Sequence, residues 1–355
     1  MNKVEDAIKK WNSIQPLSQL NRNRLERKFL LDFNYNSNHI EGNTLTYGQT
    51  EVLLLLGEVI GSAKMKDLED MKAHNLCLKM MQTEALSGNK MTETFIRQLH
   101  LTMLREDYTL YRKLPSGENT SYIIHAGCYK TRPNSVITPT GARFEYASVE
   151  ETPSLMCDLV SWYNSSEGKG ILSPVELAAL FHYRYIRIHP FEDGNGRIAR
   201  LMVNYILLKH NYPMIVVRSR KKQSYLRALS LADATVGIIP SNGAHATIEK
   251  AADFVEYIKD LFVSEVNQSI LYLTEDADKI WWYDGELVKF RSNNTSMLLQ
   301  YLNGHSHATL SEIATYLNIN VSAVQKQLKS LSEKGYIIKE TNPKRWRVII
   351  VSTTK

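Results

Sequence analysis

Apolar residues recur at helical spacing over most of the first 270 positions, so the chain reads as mainly α. A long amphipathic pattern runs over Met65–Leu86, and another helix fits residues 92–104. Thr46 with Gln49 makes a capping pair ahead of a helix over 52–60. Residues 152–162 and Pro174–Ile188 read as two helices separated by a Ser-Ser-Glu-Gly-Lys-Gly loop, with Pro174 at a first-turn position that needs no N–H. Phe181, Tyr185 and Ile188 form the buried stripe of the second helix, and His182 beside them reads as structural. The period changes around Gly127-Cys128-Tyr129-Lys130, Val136-Ile137-Thr138-Pro139 and Phe144-Glu145-Tyr146, where polar and apolar residues alternate in short extended pieces. No internal repeat or low-complexity segment interrupts this, so the pattern predicts a helical domain carrying one hairpin.

The last 66 residues have a pattern of their own. A helix is expected over 296–303, a second opens at Thr309-Leu310-Ser311-Glu312, and a third begins at Val321-Ser322-Ala323-Val324 and ends at Gly335. Alternation over 336–340 and 346–351 suggests a two-strand hairpin around Asn342-Pro343-Lys344. This order resembles a winged helix-turn-helix domain. Charge supports a separate unit. Residues 290–355 hold nine basic and three acidic side chains, whereas the rest of the chain balances at 34 of each. The third helix would present Ser322, Gln325, Lys326 and Lys329 to a major groove, with Lys344 and Arg345 of the wing against phosphate. Winged helices also bind proteins or dimerise, so duplex DNA, recruitment of a target protein and a homodimer all stay open.

Length and composition set limits. At 355 residues the chain exceeds one typical domain, and 43% hydrophobic with 23% charged residues is ordinary for a soluble protein. The longest apolar run, near Val52, spans a few residues against the roughly 20 that cross a bilayer, so no membrane is expected. The amino terminus lacks an apolar signal core, which argues against export by that route. Cys77, Cys128 and Cys157 are odd in number and form no CxxC pair, against both a disulfide framework and a zinc site, so a cytoplasmic location is the expectation.

Residues 189 to 200 carry the chemistry: His-Pro-Phe-Glu-Asp-Gly-Asn-Gly-Arg-Ile-Ala-Arg. Gly194 and Gly196, on either side of Asn195, let the backbone approach an anion, and the helical pattern through Leu201, Val203 and Ile206 aims free N–H groups at the same point. Arg197 and Arg200, three apart with Ile198 and Ala199 between them, share a helix face and can both reach phosphate oxygens. Asp193 is placed to hold a divalent cation, and His189 remains as the base.

The string resembles the signature of the Fic family, HPFx(D/E)GNGRxxR, at every specified position. Upstream, Ser37-Asn38-His39-Ile40-Glu41-Gly42-Asn43 is similar to the Fic inhibitory pattern (S/T)xxxE(G/N). The resemblance implies a Fic-type helical fold with a β-hairpin flap, divided as an N-terminal helical region with the inhibitory motif (1–95), a catalytic domain (96–270) and the winged helix (290–355). It implies transfer of AMP from ATP, with Mg2+, to a hydroxyl of a target protein. His189 would deprotonate the target, Asp193 bind magnesium, residues 194–196 cradle phosphates, and Arg197 and Arg200 clamp the β and γ groups. Glu41, presented with Ser37 and Gly42 at the end of a short helix, would pair with Arg200 and take the place of the γ-phosphate. On charge alone Glu41 also reads as a solvated residue beside a helix-ending glycine. The stretch Val136, Ile137, Thr138 and Pro139 would form the flap that holds the target by strand addition. Tyr225 and Asp233 have the family's spacing for adenine and neighbouring groups, although Tyr225 reads equally as a core aromatic and Asp233 as a solvated residue or cap. Two other readings stand beside this one: a DNA-binding regulator whose core senses nucleotide, and a Fic enzyme that removes AMP or transfers another phosphate-containing group.

Overall fold

A computed structural model describes the chain except residues 1–2, 114–116, 138–142, 275–280, 291, 342–343 and 353–355. Five helices come first: α1 Lys3–Ser13, α2 Gln19–Ile40, α3 Tyr47–Leu56, α4 Met65–Leu86 and α5 Glu93–Leu104. Two antiparallel hairpins follow, β1 Tyr108–Lys113 with β2 Asn119–Ile124, then β3 Ser135–Ile137 with β4 Arg143–Glu145. Helices resume as α6 Thr152–Lys169, α7 Pro174–Ile188, α8 Asn195–Lys209, α9 Lys222–Val236, α10 Pro240–Ala244 and α11 Ala252–Thr274. The chain closes with β5 Trp281–Tyr283, β6 Glu286–Val288, α12 Asn293–Gly304, α13 Leu310–Leu317, α14 Val321–Glu333, β7 Ile337–Thr341, β8 Lys344–Val348 and β9 Val351–Ser352.

Local chemistry explains the boundaries. Thr46 and Gln49 form the expected capping box, but Gly57 in the left-handed region stops α3 at Leu56, short of the predicted residue 60. Ser173 and Glu176 make a second box, with Pro174 in the first turn of α7. The expected Ser-Ser-Glu-Gly-Lys-Gly loop is a correction. α6 runs through it to Lys169, with Tyr163 fully buried on its inner side, and ends at Gly170, whose φ of 62° places it in the left-handed region. A second correction concerns Gly127–Lys130, which is a turn at Gly127 followed by irregular chain and not a strand, while the β1–β2 hairpin before it was not predicted.

The chain divides into two compact units. The first comprises residues 1–9, 36–43 and 69–266, and therefore contains the turn after α2 together with α5 to α10. α8 is buried nearly all round, as a helix at the centre of a unit must be, and Ile198, Leu201, Ile206, Phe181, Tyr185 and Ile188 are all wholly removed from solvent. Each such side chain contributes roughly 1.5–3 kcal/mol, which anchors the residues that α7 and α8 carry at their facing ends.

The second unit comprises residues 10–35, 44–68 and 267–355. Its main core joins Trp281 to Leu298, Leu302, Ile313, Val324 and Leu328, so the three helices α12 to α14 and the strands form one winged-helix core. β5 lies between β6 and β9, while β7 and β8 pair as the wing, with Glu340 opposite Arg345. Leu31, Tyr47 and Ile349 form a satellite cluster, in which the buried Tyr47 hydroxyl donates to Asp32 at 2.7 Å.

Candidate active site

The site is built where α7 ends and α8 begins. His189 caps α7 in the left-handed region, φ 52° and ψ 62°, with its N–H donating to the Tyr185 carbonyl at 2.9 Å. A non-glycine residue is seldom held there, so the surroundings must fix it. They do. Asn195 bonds Phe191 in both directions, accepting its N–H at 3.0 Å and donating to its carbonyl at 2.7 Å. Gly194, φ 76°, then starts α8 without any side-chain cap, which leaves the first N–H groups of that helix for an anion.

Charge converges on that helix end. Arg200 is buried and donates through Nε to Ser37 Oγ at 3.0 Å, and through Nη2 to the Ser37 carbonyl at 2.9 Å and Glu41 Oε1 at 2.7 Å. His74 meets the same Ser37 hydroxyl at 3.1 Å. Burial opposes ionisation of Glu41, but the Arg200 charge and hydrogen bond, with Arg197 beyond, outweigh it and hold the carboxyl below its usual range. The carboxylate lies against the cradle itself. A Cβ on Gly196 would come within 2.5 Å of Glu41 Oε1, so any side chain there would push the carboxylate from its present position. Lys222 donates to the Ile40 carbonyl at 2.6 Å and so steadies the end of α2. That helix has 22 residues, a correction to the short helix expected before Glu41.

Arg197 is also buried, 3.7 Å from Asp193 Oδ2, and its Nε has no hydrogen-bond partner. Asp193 Oδ1 accepts from the Gly194 N–H and Oδ2 from the Tyr108 hydroxyl, both at 2.7 Å. Among the described residues no group of three or more His, Cys, Asp or Glu could hold a metal ion alone. A lone carboxylate suits a cation that takes its other ligands from phosphate and water.

The His189 ring stacks on Tyr146, centroids 4.0 Å apart, and its Nδ1 is buried without a hydrogen-bond partner. Burial, with the Lys130 cation adding to it, pushes the imidazole down to about 4. The ring is therefore neutral at pH 7 and able to accept a proton.

The remaining sequence candidates differ in surroundings. Tyr225 is buried, its hydroxyl 2.9 Å from His182 Nε2, and it lies close enough to Arg200 and Glu41 to feel both charges. Asp233 Oδ1 accepts from Tyr183 at 2.8 Å and from Arg187 at 3.1 Å. Val136 and Ile137 lie on β3, while Thr138 and Pro139 fall outside the described residues. Tyr108, Tyr146, Lys130 and Asn134 contact the 188–193 turn and were missed, since nothing local marks a residue that acts about 43 to 85 positions away.

On α14 the predicted Ser322, Gln325, Lys326 and Lys329 are all exposed. Gln325 and Lys329 line a groove of about 630 Å³ shared with Lys344, Arg345 and Trp346. Arg345 and Arg347 both pair with Glu340. No helix among the described residues is long and apolar enough to cross a membrane.

A helical unit with a charged turn between two buried helices, joined to a winged helix, defines the class, and comparison with known proteins agrees. Residues 90–207 match the Fic/DOC family and residues 295–344 match an HTH domain. A solved Fic domain containing signaling protein from Bacteroides thetaiotaomicron is 51% identical, with TM-score 0.70, covering 76% of this chain and 96% of that one. The chain belongs to the Fic/DOC family. A Fic family protein from Desulfovibrio desulfuricans shares the fold over 98% of this chain and 96% of its own, at TM-score 0.59 and 17% identity. Protein adenylyltransferase fic-1 of Caenorhabditis elegans is 28% identical over 235 residues, 66% of this chain and 42% of that protein. The chain thus matches less than half the length of that curated relative.

Proposed function

We propose that the protein transfers AMP from ATP to a hydroxyl side chain of a target protein and is restrained by Glu41. The observation that carries this is the turn from His189 to Arg200: a neutral imidazole, an uncapped helix N-terminus and two buried guanidiniums face one place. Names of relatives such as protein adenylyltransferase fic-1 point the same way. On this reading His189 takes the proton as the target oxygen bonds to the α-phosphorus, and the bond to the β-phosphate breaks to release pyrophosphate. The N–H groups at the start of α8, with Arg197 and Arg200, hold the β and γ groups. Asp193 would hold Mg2+, which when bound neutralises phosphate charge. Tyr225 and Asp233 lie on α9 as candidates for the nucleoside end, and β3, which holds Val136 and Ile137 ahead of Thr138 and Pro139 in the sequence, is the candidate edge for the target segment.

Restraint follows from occupancy. Ser37 accepts two hydrogen bonds from Arg200 and Glu41 accepts one, so a γ-phosphate meets a guanidinium already in use; Gly42, with φ 95°, turns the chain directly after Glu41. ATP labelled at the α or the γ phosphate tests both statements. Glu41→Gly with magnesium should label the chain or a partner from the α position only, at least tenfold faster than the unaltered protein, since one charge-assisted bond is worth about 1.5–3 kcal/mol. Transfer of γ label, or equal rates, would overturn the chemistry or the restraint respectively.

For the C-terminal unit, the exposed α14 face and the HTH match support duplex DNA as its partner. The free cysteines fit a reducing compartment such as the cytoplasm.

A further inference from the structure

The carbonyl groups of residues 188 to 191 point out of the end of α7, where no further helical turn can satisfy them. One short segment meets all four. Lys130 Nζ donates to the Ile188 carbonyl at 3.1 Å, and the Lys130 backbone N–H to the Pro190 carbonyl at 2.8 Å. Asn134 Nδ2 donates to the carbonyls of His189 at 3.3 Å and Phe191 at 2.9 Å. Lys130 Nζ also donates to Asn134 Oδ1 at 2.8 Å, which locks the two side chains together. Thr131 adds bonds from its N–H and hydroxyl to Glu192 Oε1 at 3.2 and 3.0 Å. Lysine is seldom so completely buried, and Lys130 is 3% exposed. A solvated surface lysine would serve mere packing better.

We propose that Lys130, acting with Asn134, is the positioning residue for His189, holding the left-handed turn that aims the imidazole and placing a fixed cation behind it. This rests on the adenylyl-transfer reading for its activity arm. The geometry has two consequences. Tension on the 188–191 carbonyls sets where the ring sits beneath Tyr146, and the ammonium opposes protonation of that ring. The charged and polar groups facing the imidazole are Lys130 from the loop, the Ile186 carbonyl of α7, Glu41 after α2, and Asp193 of the turn, with Tyr146 stacked on one face. Lys130 is the one cation among these, so its removal raises the imidazole's proton affinity. Burial pushes Lys130 itself down to about 8, which leaves it charged at neutral pH.

The test compares Lys130→Met, Lys130→Arg and Asn134→Ala, each in the Glu41→Gly chain, using α-labelled ATP and magnesium. Lys130→Met should lower kcat tenfold or more with KM for ATP within twofold, and move the acid limb of the pH profile upward. Lys130→Arg should restore most of kcat and the acid limb while removing the alkaline limb near pH 8. Asn134→Ala should lower kcat without moving the acid limb, since it removes no charge. In parallel, NMR of histidine-labelled full-length protein follows the His189 titration without turnover, and Lys130→Met should raise it by at least half a pH unit. An unmoved His189 titration, or an unchanged kcat in an active parent, overturns the proposal. If the Glu41→Gly parent transfers no label while the titration still shifts, the transfer reading fails and the placement of Lys130 behind His189 stands. If Lys130→Met unfolds, Lys130→Arg carries the same test through its alkaline limb, whose persistence overturns the proposal.

Discussion

Arg200 and Arg345 each meet a glutamate, and the two pairs are built differently. Glu41 is 159 positions from Arg200, on another element, and 41% of its side chain is open to solvent. Glu340 is directly across the wing from Arg345, shared with Arg347 and almost covered. A partner on a separate, half-open helix end can leave without dismantling anything, whereas a cross-strand partner leaves only when the hairpin comes apart. Buried charge in the first unit is therefore available for a ligand. In the second unit the wing's arginines are spent within the fold, and any phosphate affinity falls to the lysines of α14.

The largest effect should come from breaking the turn itself. His189→Ala is expected to lose 100- to 10,000-fold in AMP transfer with ATP affinity nearly intact, because a general base acts on the target hydroxyl. In the Glu41→Gly chain, where the guanidinium is free of its carboxylate partner, Arg200→Ala should instead weaken ATP binding about 10- to 150-fold through lost charge-assisted bonds. Calorimetry with ATP separates them, and loss of ATP by His189→Ala alone would reverse these assignments.

The signature was legible because its residues are contiguous: twelve neighbours contain His189, both glycines and both arginines. The Ser37 and Glu41 motif was legible beside it for the same reason, both residues lying within one helical turn of each other. What supports them was not. Lys130 reaches Ile188 across 58 positions, and neither residue type nor spacing announces that contact. The β5–β6 hairpin is a different kind of miss. Its Asp284-Gly285 turn, with φ 49° and 69°, is a strong hairpin signal preceded by Trp281, Trp282 and Tyr283, but the strands on either side are only three residues long, too short for alternation to mark them.

A smaller contrast concerns acid. The first unit buries His74, His100 and His182 and partly buries His189. Burial lowers the proton affinity of all four, to about 4 for His100 and His189 and about 3 for His182. Below the unfolded value of about 6.5 the unfolded chain takes up protons that the folded one refuses, so stability is full above pH 6.5 and falls as pH drops. Each histidine contributes a loss of about 1.4 kcal/mol per pH unit over that window. In the second unit the two histidines, His305 and His307, are exposed. Urea melts at pH 7 and pH 5 should show the core weakening, and His100→Gln should reduce the slope. Equal melts at the two pH values would contradict the burial of these rings as neutral groups.

The smallest expected effect sharpens the other side of the comparison. If duplex DNA is the partner, Lys326→Ala with Lys329→Ala should flatten the log–log salt dependence of binding by about two units, at about 0.9 per phosphate contact. Glu340→Gln should steepen it by up to about two, by freeing Arg345 and Arg347. Binding measured by anisotropy across a salt series decides it. An unchanged slope in both variants would assign this unit to protein recruitment instead.

The space beside Gly196 is a single seat. The Glu41 carboxylate lies against Gly196 and holds Arg200, so a phosphate oxygen that needs Arg200 competes with it. Under the proposed function, competition for one place makes nucleotide supply a control variable. Every rise in the concentration of a ligand that needs the seat shifts the population toward an unseated Glu41 by mass action, about 2.7 kcal/mol at a hundred times its dissociation constant. Conversely, any partner that holds α2 in place would raise the nucleotide concentration at which the enzyme starts to work.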